Sequence, residues 1–560
     1  MNAADSLAAA SPSMTDLPLP MQALPPTQMD RRQLVRGLTA AASAAASAAA
    51  LAPALWLTGC ATAGGGGPGS NVASTAIATA TAYRLANRLS WGATDAEVAR
   101  VQRLGADGYI SEQLRAAAGG LPAAAQAQIN TLNIQTRPPL ALWQDIDTAR
   151  KLADALPTEA ERKAGQDAFQ AAHNRLAREA MHRHLLRALY APNQLQEQMQ
   201  WFWFNHFNVH QYKSNIRVLL GDYEEQALRP HALGRFRDLL GAATRHPAML
   251  RYLDNEQNAA ARINENHARE LLELHTLGLD AGYTQRDVQE LARVLTGHGV
   301  NFTDKTPNVK REQAGLYRRD GIYEFNPSRH DFGDKTVLGQ VVKGRGAAEL
   351  EQVLDVLAQH PATATFVSRK LARHLLADEP PPALVAAMVA AWQRHDGRID
   401  QVLGVLLRAP EFTAPAAPTA AKFKDPMHFV VSAVRAAYGE RVLLNTLPMQ
   451  GWLNRMGQGL YNRQTPDGYP ATAAAWTGSG QISVRLDIAR AIASSNAGLF
   501  KGEDPALQPE QPAFPQLART VYWQVLRPLL APGTRQALDN AATPQDWNTL
   551  YLSSPEFMYC

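Results

Sequence analysis

The 560-residue chain has only two cysteines, Cys60 and Cys560, and its charges nearly balance. The 55 Lys and Arg residues against 51 Asp and Glu residues give a formal net charge of +4. Nucleic-acid binding needs clustered basic surface, so this small surplus does not support a nucleic-acid partner. If Cys60 is modified, no disulfide within the chain is possible, and the body of the protein must be stabilised by packing.

Familiar cofactor and nucleophile motifs are also missing. The sequence has no GxGxxG in a strand–turn–helix context, no P-loop, no GxSxG and no CxxC pair. These absences remove the usual grounds for predicting a dinucleotide, phosphate, serine-hydrolase or thiol-redox site. With 46% hydrophobic and 19% charged residues, the composition is that of a globular protein with ample length for a large core.

The N-terminal 60 residues have the pattern of an export signal. Arg31 and Arg32 precede an uncharged, Ala-rich run at 38–57, which ends in the tetrapeptide LTGC at Cys60. A run of about 20 residues is long enough to span a membrane. Its Ala and Ser residues are only weakly apolar, however, which is more typical of a signal peptide. The run resembles a twin-arginine signal, and LTGC resembles a lipobox.

This pattern predicts where the protein works. We expect residues 1–59 to be a removable signal, Cys60 to carry lipid, and the Gly/Ala-rich residues 60–80 to be a flexible tether. The protein would then be anchored on the periplasmic side of a membrane. Ala61 after the cysteine favours the outer membrane by analogy with other lipoproteins.

The rest of the chain is dominated by helical periodicity. Apolar residues recur at three- and four-residue spacing in most segments after residue 83. This predicts a mainly α, multi-helical, two-lobed bundle with one short β-hairpin near 315–340. We expect an N-terminal lobe at 81–412 carrying the candidate site, a linker at 413–421 and a C-terminal lobe at 422–560.

An aromatic stretch at 200–210, WFWFNHFNVH after Gln200, is the first candidate for chemistry. On a continuous helix His206 and His210 would lie four residues apart on one face, a spacing that suits a shared metal. No Glu follows His206, so the HExxH zinc pattern is absent. The alternative is a buried aromatic seam in which Asn205 and His206 only satisfy hydrogen bonds.

A second candidate is the stretch at 264–278. At about 100° per residue, one helical stripe carries Asn266, Arg269, Glu270 and Glu273. Two carboxylates one turn apart could bind a metal or transfer protons. The alternative is a solvated surface in which Arg269 pairs with Glu265 or Glu273.

Two further polar stretches follow. Tyr283 and Asp287 lie at the start of a predicted helix, where Thr284 is a suitable cap, so an ordinary capped helix is the alternative to a site. His330 and Asp331 lie in a polar loop with a nearby Asp and Lys. That loop is either a polar site or a surface turn.

These motifs together resemble one bacterial family. They include FWFNHFNV at 202–209, ENHARELLELHTLGLDAGYTQRDVQELARVLTG at 265–297, RHDFGDKTVLG at 329–339 and HPATATFVSRKLARHLLAD at 360–378. The sequence resembles the family catalogued as domain of unknown function 1800 over most of residues 83–557. The resemblance implies an exported, mainly helical protein. Its motif residues correspond here to Asn205, His206, Asn266, Arg269, Glu270, Glu273, Tyr283, Asp287, His330 and Asp331.

The segment at 459–476 fits the family less well. The family commonly has Gly-Trp-Pro in a Pro-rich segment there, whereas this chain has Gly468-Tyr469-Pro470 and a Trp only at 476. The resemblance also implies a partner. Members of this family resemble proteins that are encoded beside, and work with, a second exported family, domain of unknown function 1501. A protein of that second family is therefore an expected partner.

Two hypotheses about function follow. The first is an extracytoplasmic enzyme whose catalytic residues would be His206, Glu270, Glu273, His330 and Asp331. Asn205, Asn266, Arg269, Tyr283 and Asp287 would bind and orient the substrate. A divalent metal on His206, Glu270 and Glu273 is one version, and metal-free acid–base work by paired carboxylates on a glycan or similar polymer is the other. The second hypothesis is a non-catalytic lipoprotein that holds a partner protein or a surface polymer.

Overall fold

The computed structural model describes residues 69–115, 119–413, 421–494, 497–502, 514–519 and 521–560. The predicted signal peptide, Cys60 and its first eight following residues lie outside the described residues, as does most of the predicted linker. Pro68–Cys560 forms one compact unit. The described part of the chain contains no helix long and apolar enough to cross a membrane.

The first half of the described chain is helical, as predicted. Many of these helices begin at a side-chain cap or at Pro in the first turn, which supplies partners for free backbone N–H groups or removes one of them. The helices are α1 Gly69–Leu89, α2 Asp95–Gln113, α3 Ala123–Asn130, α4 Asn133–Thr136, α5 Pro139–Asp154, α6 Glu159–Tyr190, α7 Gln194–His206, α8 Leu220–Asp222, α9 Phe236–Arg245, α10 Pro247–Tyr252, α11 Asn266–Glu273 and α12 Gln285–Val294.

Two small antiparallel sheets interrupt the helices. One has the strand order β1–β3–β2, with β1 His298–Val300, β2 Arg318–Asp320 and β3 Tyr323–Phe325. The other pairs β4 Lys335–Val337 with β5 Gln340–Val342. The predicted hairpin is confirmed as the β2–β3 pair. The sequence pattern did not predict β1 or β5, and β1 joins its sheet by pairing with β3, which is distant from it in sequence.

Helices form the remainder of the chain. They are α13 Ala348–Gln359, α14 Pro361–Leu375, α15 Pro382–Arg394, α16 Ile399–Arg408, α17 Pro410–Thr413, α18 Pro426–Tyr438, α19 Leu447–Arg455, α20 Ser479–Ala493, α21 Arg527–Leu529, α22 Pro532–Asp539 and α23 Pro544–Leu552. Short 3₁₀ or π turns lie between several of them. The mainly helical class is therefore confirmed.

One continuous apolar core extends from Ala82 to Met558. Helices on both sides of the predicted linker contribute to it. The buried Arg435 of α18, for example, donates a hydrogen bond to the carbonyl oxygen of Leu189 in α6. The boundary at 413–421 stays a prediction.

Candidate functional site

Helix α7 carries the aromatic motif into the core. Asn193 caps it by accepting a hydrogen bond from the Gln196 N–H, and Trp203 and Phe204 are almost fully buried. The helix ends at His206. His210 therefore does not share a helical face with His206, and the prediction of a metal-binding pair at i and i+4 is wrong.

His206 has one engaged and one free ring nitrogen. Its Nε2 lies 3.0 Å from the carbonyl oxygen of His275, which can only accept, so Nε2 carries the proton. Its Nδ1 has no hydrogen-bond partner among the described residues. Burial, together with nearby Lys370, holds the pKa of His206 well below its ordinary value. His206 is therefore a neutral imidazole with a free acceptor nitrogen at neutral pH.

His206 lines a cavity of about 300 Å³ that is partly open to solvent. Five parts of the chain meet there, which the sequence alone does not bring together. The polar lining comprises Trp91 after α1, Asn205 and His206 from α7, Lys370, Arg373 and His374 from α14, Lys422, Asp425 and His428 at or just before the start of α18, and Gln458, Asp467, Tyr469 and Thr472 from the loop after α19.

Lys370 and Lys422 are the two lysines of this cavity, and their surroundings differ. Lys422 pairs with Asp378 at 2.6 Å and also donates to the Ala471 carbonyl oxygen. Lys370 has no hydrogen bond and no ion pair within 4.0 Å among the described residues. Burial lowers the pKa of Lys370 to about 8, and Asp467 opposes that shift only in part.

Several other polar groups of the lining lack protein partners in the described chain. They are Trp91 Nε1, His206 Nδ1 and His428 Nε2. Burial lowers the pKa of His374 to about 4 and holds that of His428 well below its usual value. These three atoms are themselves buried, so they lie beneath the cavity surface and are not open to it.

The predicted carboxylates of α11 adjoin the cavity through Asp467. Asp467 lies in the cavity lining and interacts electrostatically with both Lys370 and Glu270. Burial and the neighbouring carboxylate of Glu273 raise the pKa of Glu270. The Glu270 side chain has no hydrogen-bond partner in the described residues. Burial alone would raise the pKa of Asp467, but hydrogen bonds from Arg463 and Thr465 lower it.

The predicted orienting residues around α11 have protein partners. Tyr283 Oη donates to Glu273 Oε2 at 3.3 Å. Arg269 pairs with Glu265 at 3.0 Å, which is the alternative ion pair considered above. Asn266 Nδ2 donates to the Leu253 carbonyl oxygen, and Asn205 Nδ2 donates to that of Trp201. Of the five predicted binding residues, only Asn205 lies in the cavity lining.

His330 and Asp331 belong to a different cluster, outside the cavity lining. His330 Nε2 lies 2.9 Å from Glu349 Oε1, and the side chains of His330, Glu349 and Lys335 are fully buried. Asp331 pairs with Arg293 at 2.8 Å. These contacts join α12 and α13 to the β4–β5 sheet. The sequence left open a polar site or a surface turn in this loop. The His330 and Asp331 side chains both bind other protein groups.

Both carboxylate oxygens of Asp287 accept hydrogen bonds from nearby protein groups. It completes a capping box with Thr284 at the start of α12, and its second oxygen accepts the Leu338 N–H at 2.7 Å. It therefore ties α12 to the turn between β4 and β5. The alternative of an ordinary capped helix fits this geometry.

The predicted metal ligands do not form a metal centre. Within the described ranges, no group of three or more His, Cys, Asp or Glu side chains is arranged to hold a metal ion. His206 has its Nε2 proton directed at a carbonyl oxygen, and it lies in the cavity lining while Glu270 and Glu273 do not. The residues present do not fit the divalent metal that the sequence suggested.

Sequence reasoning missed Lys370, His374, Asp425, His428 and Asp467. Part of the signal was present, because Lys370 and His374 lie four residues apart in the 360–378 motif and so share one helical face. The other three lie in segments that reach the cavity only through tertiary packing.

Comparisons with known proteins identify a family but no characterised relative. No curated protein and no solved structure matches the chain. The family described as "Protein of unknown function (DUF1800)" matches residues 84–559, which is most of the chain. This chain is a member of the DUF1800 family.

Proposed function

We propose that this protein is an exported, lipid-anchored enzyme whose active site is the cavity at His206, and that it acts on an extracytoplasmic polymer. The observation that carries the proposal is the clustering of shifted ionisable groups in one partly enclosed cavity. In that cavity, burial holds the pKa of His206 well below its ordinary value and lowers the pKa of Lys370 to about 8. Glu270 lies outside the lining and interacts electrostatically with the lining residue Asp467. Such clusters favour a functional site over a structural one.

The carboxylates support acid–base chemistry. Glu270 keeps its proton to a higher pH than an ordinary carboxyl group, whereas Asp467 is more readily ionised. Two carboxyl groups with opposite pKa shifts suit the roles of general acid and general base. We assign Glu270 as the acid and Asp467 as the base, and glycosidic bonds are one substrate type for such a pair.

Export and anchoring rest on the sequence. The LTGC tetrapeptide at Cys60 and the Gly-rich residues that follow fit a lipid-anchored protein with a flexible tether. A protein tethered in this way would meet polymers on the periplasmic side of a membrane. The expected exported partner of the 1501 family would act at the same surface.

Substrate screening tests this function. The purified protein beginning at residue 61 is incubated with peptidoglycan and with neutral and acidic polysaccharides, and soluble products are measured. Once a substrate is found, Glu270→Gln should lower turnover by about 100-fold or more. Glu265→Gln is the matched control and should keep full activity, because Glu265 lies outside the cavity lining and its carboxylate contacts only Arg269 and Gln285 in the described chain.

Two outcomes would contradict the proposal. Glu270→Gln with unchanged turnover would remove the assigned general acid. Absence of turnover on every polymer, together with tight capture of a 1501-family protein, would favour the non-catalytic scaffold.

A further inference from the structure

Lys370 occupies an unusual position among the lysines that the structure describes. It lies on α14, within electrostatic range of His206, His275 and Asp467. Part of its side chain stays accessible within the cavity. Its Nζ lies 5.2 Å from the centre of the Phe366 ring and has no carboxylate within 4.0 Å among the described residues.

Three other lysines are buried. Two of them pair with a carboxylate, and the third lines only a small cavity. Lys335 is fully buried against Glu349 at 2.5 Å. Lys422 shares the cavity but is paired with Asp378. Lys424 is 2% exposed, lies over the Phe557 ring and lines a cavity of only about 50 Å³. Among the lysines of the described residues, only Lys370 combines an amine without a hydrogen bond or ion pair with a cavity of about 300 Å³.

We propose that Lys370 is a nucleophilic amine that forms an imine with an aldehyde or ketone group of the ligand in this cavity. This inference rests on the proposed function, because it uses the same cavity as the active site. A lysine whose ammonium form lacks a counter-ion and is desolvated holds more free amine at neutral pH, which is how lysine nucleophiles are activated. The lowered pKa of Lys370, about 8, agrees with this environment.

The reaction needs no oxidant or reductant. The amine nitrogen attacks the carbonyl carbon, a C–N bond forms, and the carbonyl oxygen takes up a proton to give a carbinolamine. The C–O bond then breaks, the oxygen leaves as water, and the C=N bond of the imine forms. The amine nitrogen loses two protons in all, and both end on the oxygen that leaves as water, so the step balances without a further reactant.

The lining also restricts the ligand class. Arg373 also lines the cavity, and its ion pair among the described residues is a long one, 3.7 Å to the exposed Glu379. A cation with so weakly held a counter-ion favours a carboxylate on the same ligand. A carbonyl compound that also carries a carboxylate, such as the open-chain reducing end of an acidic sugar, satisfies both features.

Reductive trapping tests the inference. The purified protein beginning at residue 61 is treated at pH 7 with glyoxylate and sodium cyanoborohydride, and the modified lysines are located by peptide mass spectrometry. We expect initial labelling of Lys370 at least about tenfold faster than that of Lys422 or the exposed Lys343, because a larger fraction of its amine is free. This comparison is made within the wild-type protein and needs no variant.

Variants and sugars complete the test. Lys370→Arg should abolish the fast label while the melting temperature stays unchanged. D-glucuronate should be trapped faster than D-glucose, which has the aldehyde but no carboxylate, and the reverse order would overturn the ligand class. Labelling of Lys370 at the rate of Lys343 would overturn the inference.

Different results would contradict the proposed enzyme and the proposed imine. Polymer turnover without fast labelling of Lys370 would leave the proposed enzyme intact and remove the imine. Fast labelling that persists in an inactive Glu270→Gln variant would support the amine independently of the carboxylate pair.

Discussion

Gly468 lies directly against the backbone of Asn205. A Cβ atom at position 468 would come within 2.1 Å of the Asn205 carbonyl oxygen, and Gly468 has a φ of +74°. The neighbouring Tyr469 N–H donates to Asn205 Oδ1 at 3.3 Å. The loop that carries Asp467 and Tyr469 is therefore fixed to the end of α7, the helix that presents His206 to the cavity.

Gly468→Ala should disturb this contact. Both the positive φ and the close approach to backbone oppose a side chain, so we expect a loss of about 1–3 kcal/mol in the free energy of unfolding. Gly478→Ala is the matched control, since an added Cβ there meets nothing within 4 Å. Urea unfolding measures both. Equal stability of the two variants would show that the loop does not need this contact.

The buried cluster of His330, Glu349 and Lys335 predicts an acid-sensitive contribution to stability. Burial alone would raise the pKa of Glu349, but hydrogen bonds from His330 and Lys335 lower it. A carboxyl group whose pKa is lower in the folded state stabilises the fold above its unfolded pKa, about 4.3. That contribution is lost as the pH falls from there through the folded pKa.

Glu349→Gln should remove this pH dependence and leave the buried charge of Lys335 without a carboxylate, with only the Asp331 carbonyl oxygen still accepting from it. We expect a loss of about 3–5 kcal/mol at pH 7 and a shallower loss on acidification than in the wild type, measured by urea unfolding at several pH values. Glu351→Gln, which affects half-exposed pairs with Arg237 and Arg245, should cost less than about 1 kcal/mol. Similar curves for wild type and Glu349→Gln would contradict the prediction.

Cys60→Ser tests the anchor. The full-length variant expressed in a bacterium with a twin-arginine pathway should lack lipid, and it should move to the soluble fraction if another signal peptidase cleaves it. Fractionation and mass spectrometry of the N-terminal peptide measure both. A wild-type Cys60 peptide free of lipid would show that LTGC is not a lipobox here.

The fold was predictable where apolar spacing is long and regular. In α11, the 3.6-residue period placed Ala268, Leu271 and Leu272 on the inner face, and all three are buried. The three-residue strands β1 and β5 carry no such pattern. Their pairing depends on chain segments that are distant in sequence or joined by a tight turn.

The candidate site was predictable only in part. The aromatic motif named His206 and Asn205, which lie in the cavity lining, and the stripe on α11 named Glu270, which does not. His330 looked equally reactive in sequence, but its partner Glu349 lies 19 residues away and occupies it fully. Lys370 is the opposite case. Its proposed role depends on having no hydrogen bond or ion pair among the described residues, and only the packing around α14 shows this.

The central claim is that the cavity at His206 is where the protein binds and converts its ligand. Ala471 lines that cavity, whereas the exposed Ala474 lies three residues away outside it. The most direct measurement compares Ala471→Trp with Ala474→Trp for glyoxylate trapping at Lys370 and for polymer turnover, with melting temperatures measured alongside. We predict that Ala471→Trp loses both activities at an unchanged melting temperature, while Ala474→Trp keeps them. Full trapping and turnover in a folded Ala471→Trp variant would contradict the claim.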